Sequence, residues 1–187
     1  MSNLSRAYQR AMTPPSSHIV KSLSEGLALH QQGLIAEALE VYESILQTDP
    51  RHYDALQLSG TGLLQLGQVA AACDRLAAAI EVNPHDPGTW SNWLAALNEA
   101  GRTPEAIAAG ERATARFPQA ANIAFNLGNA YRAEDRWAEA AAAYQAAREA
   151  APNMAVAWGN EADARLELGE RELAQACAEQ ALALQPE

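Results

Sequence analysis

Five prolines, Pro50, Pro84, Pro118, Pro152 and Pro186, follow one another at steps of 34 residues. A fixed step of that size makes a fold a stack of one small unit. Two further columns keep the same step. Ala38, Ala72, Ala106, Ala140 and Ala174 form one; Gly33, Gly67, Gly101 and Gly169, with Asp135 in the fourth place, form the other. These columns divide the chain into units at 19–52, 53–86, 87–120, 121–154 and 155–187, after an N-terminal tail or partial cap at 1–18.

Each column has a physical reason. Glycine at the fifteenth place of a unit closes a first helix in the left-handed conformation, which Asp135 tolerates better than most residues. Alanine at the twentieth place lets two helices approach closely. Proline at the thirty-second place ends a second helix and turns the chain. The spacing predicts first helices near 19–32, 53–66, 87–100, 121–134 and 155–168, and second helices near 35–48, 69–82, 103–116, 137–150 and 171–184. Asp86-Pro87 and Thr103-Pro104 each read as an N-cap followed by proline at the first helical position. Few aromatics and scattered β-branched residues leave little for a sheet. The expected class is all-α.

The period and its columns resemble the tetratricopeptide repeat, or TPR. Unit four carries Ala124, Leu127-Gly128, Tyr131, Ala140, Tyr144 and Pro152; unit five carries Trp158, Glu161-Ala162, Ala174, Ala178 and Pro186; unit one carries Gly26, Ala38, Tyr42 and Pro50. The resemblance covers 19–187 and implies a right-handed superhelical solenoid of five helix-turn-helix hairpins. Unit three departs from it, with Leu94 at the eighth place and Gly110 at the twenty-fourth. This reads as a volume-conserving exchange, with Leu94 packed into the space over Gly110.

In a TPR array the first helices line a concave groove that holds a protein or peptide. The sixth place of successive units reads Ser24, Leu58, Asn92, Asn126 and Asn160. The last three resemble the inner asparagine ladder of the O-linked N-acetylglucosamine transferase family. An amide donates and accepts, so it can pair with peptide backbone. It can equally bridge neighbouring helices. Asn129 and Asn98 widen the strip, Arg132 offers a charge and Phe125 an apolar contact. The fifth place reads Leu23, Gln57, Ser91, Phe125 and Gly159, without the cations that clamp a chaperone's C-terminal carboxylate.

The opening of unit one, from Leu27 through Ala36-Glu-Ala-Leu39 to Asp49-Pro-Arg-His52, resembles the start of bacterial TPR glycosyltransferases, whose repeats recruit the acceptor protein. That implies the recruiting arm of a larger transferase, without catalysis of its own. The alternatives are a stand-alone scaffold and a self-associating array. Pro186-Glu187 closes unit five without a further helix, so Leu173, Leu182 and Leu184 are expected to form an apolar edge that self-associates or is covered.

Nothing in the sequence points to catalysis, a cofactor or a metal. His18, His30, His52 and His85 lack metal-ligand spacing, and His52 and His85 are expected in solvated turns. Ser59-Gly-Thr-Gly62 lacks the strand and lysine of a phosphate loop. Cys73 and Cys177, three units apart, are expected to be small core residues. Trp90 and Trp158 are expected to fill core. A net charge of −10 with Lys21 as the sole lysine disfavours nucleic acid. No long apolar run spans a bilayer and no secretory signal opens the chain, so a cytoplasmic location is expected.

Overall fold

The structure is a computed structural model that describes residues 15–185. Among them are ten helices and no strand: α1 Pro15–Gln31, α2 Ile35–Thr48, α3 Tyr53–Gln65, α4 Val69–Val82, α5 Pro87–Glu99, α6 Thr103–Arg116, α7 Ala121–Ala133, α8 Trp137–Ala150, α9 Ala155–Glu167 and α10 Arg171–Leu184. The fold is an all-α helical repeat. Helix α1 begins at Pro15, four residues before the expected position. The short helix expected over Leu4–Ala11 lies outside the described residues. No helix among them is long and apolar enough to cross a membrane.

Turn chemistry sets the hairpins. Gly33, Gly67, Gly101 and Gly169 have φ between 67° and 79°, and Asp135 has φ 54°. That is the left-handed region in which an L side chain crowds the following carbonyl. The backbone N–H one residue further on then reaches back into the last turn, as when Leu34 N donates to Leu29 O and Arg136 N to Tyr131 O, both at 3.0 Å. Carbonyls at the helix end are thereby satisfied.

The two proline starts differ. Asp86 accepts from Gly88 N at 3.1 Å and Thr89 N at 3.0 Å, and so caps α5. Thr103, in contrast, does not cap α6: it is already helical, and the cap position belongs to Arg102, whose side chain makes no capping bond. Arg102 instead pairs with Glu105 at 2.6 Å. His52 lies in the expected turn, between α2 and α3. It is half-buried and caps α3, its Nδ1 accepting from Ala55 N at 3.4 Å.

The chain forms two compact units, Met1–Pro84 and His85–Glu187. In the first, Ile45 and Leu46 of α2 pack with Ala55 and Leu56 of α3 and Ala79 of α4. In the second, Leu127, Tyr131, Tyr144 and the alanines of α8 form one cluster with Ala164 of α9. The alanine column is buried throughout, wholly at Ala38, Ala72, Ala106 and Ala140. Close approach is also clear at Gly128: a Cβ there would stand 2.6 Å from the Tyr144 ring. Gly26 meets Tyr42 and Gly60 meets Leu76 in the same way.

In unit three Leu94 is wholly buried, and the three atoms nearest a Cβ on Gly110 belong to Leu127 of the next hairpin, the first at 2.8 Å. Cys73 and Cys177 are buried free thiols.

Candidate functional site

The asparagines lie on α5, α7 and α9, the first helices of hairpins three to five, and the structure shows how they are used. Asn126 Nδ2 donates to Ser91 O at 3.0 Å, with Ser91 Oγ at 3.4 Å. Asn98 Nδ2 donates to the backbone oxygen of Asn126 at 2.8 Å. Asn160 Nδ2 donates at 3.3 Å to Asn129 Oδ1, which also accepts from the Tyr144 hydroxyl at 2.9 Å. These bonds stitch α5 to α7 and α7 to α9 and α8. Of the two uses open to the amides, bridging is realised. The donors of Asn98, Asn126 and Asn160 are turned to these partners, and all of these asparagines, Asn92 included, remain half-buried rather than enclosed.

The other candidates separate. Arg132 is exposed at the end of α7. Phe125 packs against Tyr144, ring centroids 5.7 Å apart, and is shared by two apolar clusters, so it is a packing residue. Leu173, Leu182 and Leu184 are exposed, Leu182 by 72%. Leu182 stands where Leu46 stands in hairpin one. Leu46 is buried against the next hairpin, so the two differ by what covers them.

An ionic cluster lies between α8, α9 and α10. Glu161 takes the seventh place of its unit, where unit four has Leu127, and it is wholly buried. Arg165 pairs with it at 2.7 Å and Arg148 pairs with its other oxygen. Arg165 also reaches Glu170 at 2.8 Å and Gln145 at 3.1 Å. The Arg148 guanidinium lies 4.2 Å over the Trp158 ring, and Trp158, only half-buried, donates Nε1 to Pro152 O at 3.0 Å. Trp90, by contrast, fills core. Burial pushes the nearby Cys177 thiol up, and the Glu161 carboxylate adds to this. The seventh-place glutamate, read only as part of a motif, was the signal for this cluster: a charge in an apolar column is buried only if paired.

Among the described residues no group of three or more His, Cys, Asp or Glu side chains could hold a metal ion. Exposed carboxylates pair along the surface, as Arg136 with Glu139 at 2.9 Å.

Comparison with known proteins settles the family. Tetratricopeptide-repeat families match at residues 29–97, 95–155 and 155–187. Residues 29–187 are tetratricopeptide repeats. A relative from Mycosarcoma maydis, the small glutamine-rich tetratricopeptide repeat-containing protein 2, is 30% identical over 103 residues, which span 55% of this chain and 29% of that protein. The chain therefore covers under a third of that relative's length. Solved TPR structures share the fold. MamA superposes with a TM-score of 0.79 at 21% identity, over 86% of this chain and 94% of its own. YrrB, described as a TPR protein with an unusual peptide-binding site, gives 0.76 at 19% identity over 97% and 93%. Pseudomonas aeruginosa pilF gives 0.78 at 17% identity over 92% and 78%.

Proposed function

We propose that this TPR chain is a polypeptide-binding module, and that hairpins three to five hold an extended segment along Asn92, Asn98, Asn126, Asn129 and Asn160. One observation carries the reading. While Asn129 Oδ1 already accepts two bonds, Asn98, Asn126 and Asn160 each use a side-chain N–H for a bridge, which turns the amide oxygens of these three toward the role of acceptor. Backbone N–H groups of a bound segment would meet them, which selects little for side-chain identity. Arg132 would add a charge contact at the rim. The peptide-binding site of YrrB, a protein of the same fold, supports the reading.

The resemblance of residues 27–52 to bacterial TPR glycosyltransferases makes recruitment of an acceptor protein in the cytoplasm, for a transferase domain elsewhere, the setting of this reading. A second reading, self-association, is favoured by the exposed Leu182, at the place where Leu46 is buried in hairpin one. Light scattering across a concentration series separates the two: concentration-dependent dimers that Leu182→Glu abolishes support self-association.

The test of the groove is nuclear magnetic resonance of the full chain titrated with extended, weakly charged peptides. Side-chain amide signals of Asn98, Asn126, Asn129 and Asn160 should shift together. Shifts confined to other faces would overturn the proposal.

A further inference from the structure

A concavity in the first unit lies between the second helices of hairpins one and two. It is a groove of about 510 Å³ with α2 and α4 as walls and α3 as floor. Its depth has a sequence cause. Ser59 occupies the seventh place of unit two, where units three and four carry Trp93 and Leu127. The corresponding hollow in the second unit, floored by Leu127 and Tyr131, is about 270 Å³. The Ser59 hydroxyl is buried and satisfied by Leu56 O at 3.1 Å, so the groove floor presents no unmet polar atom there. Leu39 and Leu63 supply half-buried apolar walls.

Two carboxylates of α2, Glu40 and Glu43, line the groove and are exposed. Arg75, a cation lining the groove, is tied to Glu43 at 2.6 Å. A groove between two helices, one leucine deep and edged with carboxylates, is the shape and charge that accept an amphipathic helix.

We propose that the α2–α4 groove is a second docking site, which receives a basic amphipathic helix of a partner protein, with a leucine-sized side chain set over Ser59 and Lys or Arg facing Glu40. Leucine burial supplies affinity, and the charges supply orientation and association rate. The site is separate from the asparagine strip and stands whether or not that strip binds peptide.

The test is fluorescence anisotropy on the full chain with two labelled helical peptides of about 14 residues, roughly four turns. One carries leucines at helical spacing flanked by lysines; its twin carries glutamates in place of the lysines. The lysine peptide should bind, and its affinity should fall as salt rises from about 50 to 300 mM, where the Debye length shortens. Ser59→Leu, which installs the residue that unit four carries at this place and fills the groove from below, should weaken binding at least about tenfold with the helical fold intact. Ala71→Trp closes the groove from the exposed α4 wall and should do the same, which guards against misfolding of one variant. Equal binding of both peptides, affinity indifferent to both substitutions, or a groove already occupied by a second copy of the chain, seen as a dimer that Ser59→Leu dissociates, would each overturn the proposal. Asn126→Ala should leave lysine-peptide binding unchanged, whereas its effect on extended peptides reports on the other site.

Discussion

Arg165 holds the carboxylate of Glu161 at 2.7 Å from one turn further along α9, and Arg148 of α8 holds the same carboxylate from the other side. Glu161 is wholly buried, so its charge has been taken out of water and depends on these two partners. Glu161→Ala would leave two guanidinium groups facing a void. It should lower the unfolding free energy by about 3–5 kcal/mol, the usual cost of breaking a buried pair. Replacing Arg148, Glu161 and Arg165 together with leucine or methionine removes the charges as well as the pairing, and should be close to neutral. Urea unfolding of the single and triple variants checks both; a single variant as stable as the parent would refute the account.

Tyr131 donates its hydroxyl to Glu111 Oε1 at 2.8 Å. Burial, then this bond and the nearby carboxylate charge, push its ionisation up to about 12. The folded state therefore keeps a proton that the unfolded chain releases near pH 10. The folded form binds more protons between those values, so stability must fall as pH rises from about 10 to 12. Tyr131→Phe should remove that part of the alkaline loss while keeping the ring under the Arg136 guanidinium, 4.6 Å away. Ultraviolet titration of phenolate together with alkaline unfolding of both proteins is the measurement.

Asp135 is the one non-glycine residue with positive φ among those described, at 54°, in the turn where four other hairpins use glycine. An L side chain there costs about 1–2 kcal/mol in general, and less for aspartate, which tolerates the left-handed region. Asp135→Gly should raise stability by up to about 1 kcal/mol, and Gly169→Ala, at φ 78°, should lower it by about 1 kcal/mol. Thermal unfolding of the two variants should move in opposite directions.

The helices were legible because their punctuation repeats. Most termini fall within a residue of the positions set by the glycine and proline columns, since a left-handed turn and a missing N–H act locally. What was not legible depends on neighbours. Leu127 of the next hairpin comes nearest to Gly110, a contact set by how hairpins stack. Thr103 reads as a cap, yet Arg102 takes the position, as Leu34, Gln68, Arg136 and Glu170 do in the other hairpins, because the left-handed turn one residue earlier sets it. Asparagines at the sixth place could be seen, but whether they bridge helices depends on Ser91 and Asn129 lying within reach. Ser59 and Glu161 were visible as letters; one marks a hollow and the other an ion cluster only once the helices around them are placed.

Asn126 separates support from binding. Its amide donates to Ser91 O on the preceding first helix, and its backbone oxygen accepts from Asn98. Asn126→Ala removes the first bond and keeps the second, because Asn98 uses main chain. Stability should fall by about 1 kcal/mol, the net worth of one hydrogen bond. Asn98→Ala should cost a similar amount, with coupling in the double variant below about 0.5 kcal/mol because the two bonds share no side chain. If the strip also holds a peptide, Asn126→Ala loses an acceptor for a ligand N–H, and peptide affinity should drop by a further 1–3 kcal/mol, about the cost of leaving a buried polar group unpaired. Calorimetric titration at a temperature where the variant is fully folded distinguishes the two roles. A lowered melting temperature with unchanged affinity would confine Asn126 to bridging and move the search for the ligand to Asn129 and Asn160.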